Sequence, residues 1–111
     1  MKKSTWAVCG VVLGSILATP GFAADPGQAI YQAHCSVCHG ADGKGAIPGT
    51  QDFTKKGGVL SLSDAVLLER ITNGYQQAGS PMAMPPKGGD PSLTEQQIKQ
   101  VIAYLRSTFG G

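Results

Sequence analysis

The stretch Ala33-His34-Cys35-Ser36-Val37-Cys38-His39-Gly40 decides the fold. Within it, Cys35-Ser36-Val37-Cys38-His39 has the Cys-x-x-Cys-His spacing of covalent c-type haem attachment. Two thiols three positions apart can each add to one vinyl group of the same porphyrin. The histidine that follows then sits under the iron and offers an imidazole nitrogen. Cys35 and Cys38 are thus the candidate attachment residues for one haem c, and His39 is the candidate axial ligand. A redox dithiol would need only the two cysteines, and a zinc site usually needs a second ligand pair, which the downstream sequence lacks. His34 competes with His39 on paper, but it precedes Cys35 and would project away from the porphyrin face. It reads as a surface residue.

The start of the chain supplies a compartment. Lys2-Lys3 is followed by a 13-residue apolar run from Trp6 to Ala18, a break at Thr19-Pro20-Gly21, and small residues at the −3 and −1 positions of Gly21-Phe22-Ala23. This is the pattern of a secretory signal peptide over residues 1–23. The apolar run falls short of the ~20 residues that a spanning helix needs, although an uncleaved anchor is the alternative. Cleavage after Ala23 leaves residues 24–111 as a single domain with no membrane span. Seven basic residues then face seven acidic ones, so nucleic-acid binding has no electrostatic basis. Cys9 leaves with the signal peptide, and both remaining cysteines are consumed by haem, consistent with a periplasmic protein that forms no disulfide.

A mature chain of 88 residues is small. Such a domain buries only about 60–65% of its unfolded surface and is marginally stable. A covalently held apolar macrocycle would supply the missing core. Around it the sequence predicts an all-α fold of three to four helices and long loops. Asp25-Pro26 opens the first helix with a cap and a proline at the first position. Tyr31, Cys35 and Cys38 share one face of it, together with Gly27, whose missing side chain would let another helix cross closely. From Gly40 to Leu60 a glycine-rich loop wraps the proximal side. A ligating histidine normally gives its second ring N–H to a carbonyl or carboxylate, and Pro48 is the candidate for that carbonyl. Asp52-Phe53 is placed to pack on the haem edge.

Ser61 and Asp64 stand at capping-box spacing ahead of a second apolar stripe, with Ser63 as the other cap candidate. That helix stops at Asn73-Gly74. The last helix is the best specified, with Leu93, Thr94, Gln97 and Ile98 giving a hydrophobic staple and capping box together. Ile98, Val101, Ile102, Leu105 and Phe109 continue its apolar face, which is expected to cross the first helix near Gly27 and Tyr31. Between these helices the proline-rich segment Ser80-Pro81-Met82-Ala83-Met84-Pro85-Pro86-Lys87-Gly88 offers two thioethers. A thioether is a soft ligand that suits ferrous iron and raises the haem potential. Residues two apart in an extended stretch point to the same side, so spacing alone does not choose between Met82 and Met84. Arg70, Asn73 and Tyr75 are further candidates for propionate or loop contacts.

The chain resembles the class I cytochromes c, in particular small bacterial monohaem ones of the cytochrome c5 or c-555 type. The resemblance is carried by Cys35-Ser36-Val37-Cys38-His39-Gly40, Ala41-Asp42-Gly43-Lys44-Gly45, Met84-Pro85-Pro86-Lys87-Gly88-Gly89, Leu93-Thr94 and Val101-Ile102-Ala103-Tyr104-Leu105, and covers essentially the whole mature chain. The cysteine pair that some cytochromes c5 carry near the last helix is absent. The resemblance implies the cytochrome c fold, with first and last helices crossing at Gly27 and Tyr104. It implies that Met84, directly before Pro85-Pro86, is the sixth iron ligand, with Met82 as the alternative, and that Pro48 supplies the carbonyl to His39. It implies a non-enzymatic carrier of single electrons between redox proteins met in transient contacts. Two other roles use the same module: an electron-entry subunit of a dehydrogenase or oxidase, and a redox or gas sensor whose methionine dissociates.

Overall fold

The computed structural model describes residues 25–110, together with Gly10 and Gly14. Apart from those two glycines, the expected signal peptide over residues 1–23 lies outside the described residues. Four α-helices form among the described residues: α1 (Pro26–His34), α2 (Ser36–His39), α3 (Asp64–Asn73) and α4 (Glu95–Phe109). Two short 3₁₀ turns, Val59–Ser61 and Pro86–Gly89, punctuate the loops. The described residues contain no β-strand beyond one isolated antiparallel bridge between Tyr75 and Met84. None of their helices is long and apolar enough to cross a membrane.

Local chemistry sets the helix ends. The Asp25 carboxylate accepts the Gly27 N–H at 2.9 Å and Pro26 takes the first turn. The chain turns at Cys35 and resumes at once as α2, so the haem motif occupies the joint between two helical segments. The cap of α3 is Ser63, whose hydroxyl accepts from the Val66 N–H, rather than Ser61. Ser61 is instead in the preceding 3₁₀ turn, where its hydroxyl donates to the Gly58 carbonyl. At α4 the capping box forms as the sequence predicts: Thr94 Oγ1 accepts from the Gln97 N–H at 3.2 Å, and Gln97 Oε1 accepts from the Thr94 N–H at 2.9 Å.

The core comprises Tyr31 from α1, Phe53 and Leu60 from the long loop, Leu67 from α3, and Leu93, Ile98, Val101, Ile102 and Leu105 in and before α4. The main helix–helix packing is α1 on α4. Its contact point is Gly27, where an added Cβ would run into the Gln100 carbonyl and come within 2.9 Å of Tyr104 Cβ. Both partners of the expected crossing are therefore in place. A second fixture has no signature in the sequence pattern. Arg106 of α4 donates to the backbone carbonyls of Leu60 (2.5 Å) and Leu62 (2.8 Å) and pairs with Asp64 at 2.7 Å. One guanidinium thus ties the end of the long loop to two helices.

Two stability measurements follow. Gly27→Ala forces α1 and α4 apart, and overpacking of this kind destabilises by about 1–3 kcal/mol or more. The denaturation midpoint of the holoprotein is expected to drop accordingly, whereas Ala29→Ser on the exposed face of α1 leaves it within about 0.5 kcal/mol. Arg106→Met leaves two partly buried carbonyls without their donor and is expected to destabilise by about 1–3 kcal/mol. Asp64→Asn removes only a pair with an exposed carboxylate, and its expected effect is below about 1 kcal/mol.

Candidate haem site

The site begins with His39. The residue is 8% exposed, and burial holds its pKa below the ordinary imidazole range, against the smaller opposing effect of the Gln51 carbonyl. The neutral form that a metal requires is thereby favoured. The ring stacks on Phe53, with centroids 4.4 Å apart and planes 19° from parallel. Phe53 lies 6.4 Å from the Tyr31 ring and 6.0 Å from that of Phe109. An aromatic cluster thus runs from α1 and α4 to the histidine, each pair adding about 0.5–1.5 kcal/mol beyond its buried area.

The loop after the motif is shaped by the end of α2. The carbonyls of Cys38 and His39 have no helical partner further along and are taken by the N–H groups of Ala46 and Gly45, both at 2.8 Å. The chain doubles back beneath the histidine as a result. Phe53 N–H then bonds the Gly43 carbonyl at 2.8 Å and closes the wrap. The carbonyl that this wrap sets beside His39 Nδ1 is that of Gln51, at 3.4 Å, and not that of Pro48. Pro48 lines the larger cavity described next. In this structure the fold of the loop brings the carbonyl three residues beyond Pro48 to the ring.

Two adjoining cavities share Cys35, His39, Gln51, Tyr75 and Met84 in their walls. The larger, about 410 Å³, also has Cys38, Val37 and Met82 at its margin, and its size is that of a small-molecule site. The smaller, about 60 Å³, reaches into the core among Tyr31, Leu60, Leu67, Val101 and Leu105. Burial, with a smaller contribution from Cys38, pushes the Cys35 thiol up to about 11, so it is held as the neutral thiol. Two thiols, a neutral buried imidazole and thioethers in one largely apolar cleft form the donor set that haem c requires. The residues present fit the group.

The two methionines differ. Met84 lines both cavities, and its backbone is fixed by the bridge to Tyr75: Met84 N–H to Tyr75 carbonyl at 2.7 Å, and Tyr75 N–H to Met84 carbonyl at 3.1 Å. Met82 lines only the larger cavity and is 55% exposed. Arg70 lies over the Tyr75 ring at 3.9 Å, and both line the inner cavity. His34 departs from the sequence reading as a surface residue. It is half-buried, borders the larger cavity and pairs with Asp90 at 3.3 Å. The sequence carried no signal for this pair or for Gln51, because each contact joins segments that only the fold brings together.

The cytochrome c family profile matches residues 24–109. The chain is 37% identical over 81 residues to a cytochrome c-555 of Prosthecochloris aestuarii, covering 71% of this chain and 81% of that protein. It is 30% identical over 90 residues to a cytochrome c-551 of Pseudomonas aeruginosa, covering 81% and 86%. It is also 32% identical over 89 residues to the cbb3-type cytochrome c oxidase subunit CcoP of Rhodobacter capsulatus, covering 79% of this chain and 30% of that subunit. With Cys35, Cys38 and His39 of the attachment motif lining one largely apolar cleft, these matches establish that the chain belongs to the cytochrome c family, the small electron-carrying cytochromes with covalently bound haem c.

Proposed function

We propose that the protein is a freely diffusing periplasmic electron carrier whose haem is anchored through Cys35 and Cys38 and whose iron is held between His39 and Met84. The observation that carries this reading is that Met84 alone of the two thioethers shares both cavities with His39 while its backbone is locked to Tyr75. The haem, when bound, supplies a one-electron iron couple. The chain's contribution is to keep that couple closed and dry. His39 and Met84 would hold the iron from either side, Phe53 and the α4 wall exclude water on the buried side, and Val37 and Met82 leave an apolar margin exposed at the cleft. Outer-sphere transfer needs no vacant coordination site, only a partner's approach to that margin. Such contacts are small and transient.

The compartment rests on the signal-like residues 1–23, which place a mature start at Ala24. The expected mass of the protein recovered from periplasm is that of residues 24–111 plus one haem. The match to a fraction of an oxidase subunit favours one second reading, in which this domain serves as the electron-entry part of a larger assembly. Native extraction separates the two: a carrier elutes at its own mass, and a subunit co-elutes with its enzyme.

The ligand assignment has its own test. Met84→Ala is expected to abolish the ferric methionine–iron charge-transfer band and to lower the reduction potential by at least about a tenth of the ~0.8 V that axial ligation spans. Met82→Ala is expected to preserve both. The reverse pattern would give the sixth position to Met82.

A further inference from the structure

We propose that His34 is a positioning residue for the distal ligand loop, bracing the turn that follows Met84 against the haem-bearing end of α1. The proposal rests on the reading of Met84 as the sixth ligand. Met84 is followed by Pro85 and by the turn Pro86–Gly89, in which Lys87, Gly88 and Gly89 take φ values of 54°, 61° and 83°. Lys87 is the one non-glycine residue with positive φ among the described residues. A side chain in this region is strained and persists only where the surroundings hold it. What holds the turn is the end of α1.

Two independent contacts make the brace. Gly88 sits directly on His34: an added Cβ would lie 3.0 Å from His34 Cβ and 3.1 Å from its carbonyl oxygen. One residue beyond the turn, Asp90 Oδ2 lies 3.3 Å from His34 Nε2. The other carboxylate oxygen, Oδ1, is already fixed by the Ser92 N–H at 3.0 Å and the Ser92 hydroxyl at 2.6 Å. Asp90 is therefore a rigid partner. His34 immediately precedes Cys35, so the brace joins the covalent haem anchor to the chain that carries Met84. The loop has a backbone pin at Met84 itself and a side-chain pin six residues on.

The Asp90 end of this pin carries a stable charge. The Ser92 hydroxyl, then the Ser92 N–H, hold the Asp90 carboxyl below the usual carboxylate range, with His34 and Lys87 adding to the effect. Asp90 is thus an anionic partner for the His34 ring at neutral and mildly acidic pH.

The test is the rate at which azide binds the ferric holoprotein, since azide must wait for the methionine to leave. Asp90→Asn and His34→Ala are each expected to bind azide about twofold to fivefold faster than the wild type, the range given by a part-exposed ion pair. His34→Arg, whose guanidinium can also pair with the Asp90 carboxylate, is expected to restore the slow rate. The double variant H34A/D90N is expected to be no faster than either single one, because both remove the same contact. Wild-type rates in both single variants, or additive effects in the double variant, overturn the brace. Met84→Ala is measured alongside: binding much faster than in any brace variant supports the ligand reading on which the proposal stands, and binding at the wild-type rate overturns that reading and the brace with it.

Discussion

The crossing of α1 and α4 is the constraint on which the rest of the structure depends. α1 carries the haem motif at its C-terminal end, and α4 forms the wall behind it. The two can approach closely only because position 27 has no side chain to meet the Gln100 backbone. From that contact Tyr31, four residues on, is driven to 1% exposure against α4. Its ring lies 5.5 Å from Tyr104 and 5.6 Å from Phe109. Its hydroxyl donates to the Gly40 carbonyl at 2.5 Å, and burial is the main cause that pushes its pKa up to about 12. The phenol therefore remains a donor throughout the physiological range and fixes the residue that follows His39. Helix packing is in this way converted into the placement of His39.

Long loops are tolerable here because almost none of their length is free. The segment from Gly40 to Leu60 is held at its start by the end of α2, in its middle by Phe53 against His39, and at its end by Arg106. Each fixture satisfies a group that would otherwise be left without a partner: helix-terminal carbonyls, the face of the His39 ring, and two backbone oxygens beside α3. A domain of this size cannot build a large all-protein core. It uses its loops as walls for a cofactor that completes the interior.

What the sequence made legible was whatever depends on local pattern. The capping box of α4, the stop at Gly74, the crossing glycine and the attachment motif all follow from residues a few positions apart, and the structure has each of them. Ser63 prevailed over Ser61 as the α3 cap because Ser61 is already inside the preceding 3₁₀ turn. The less legible features are contacts between side chain and distant backbone. Arg106 and the Leu60 carbonyl are 46 residues apart, and His39 and the Gln51 carbonyl are 12 apart through an irregular loop. No periodicity encodes such pairs. The surroundings of His34 are hidden for the same reason: its neighbour in sequence is the haem cysteine, but its partners in space, Gly88 and Asp90, belong to the segment after Met84.

The two sides of the iron site are consequently held by different means. His39 is fixed by a covalent motif, a helix joint, an aromatic stack and a doubled-back loop. Met84 is held by two backbone hydrogen bonds to Tyr75 and by whatever fixes the turn beyond it. Regions with few buried contacts open at the lowest free energy, so local opening is expected to begin on the methionine side. That asymmetry suits an electron carrier. With the iron held between His39 and Met84 as proposed, the distal half would set how firmly a soft thioether stays bound. Because a thioether ligand raises the potential, the stiffness of a short proline-flanked loop would then help to determine the redox chemistry.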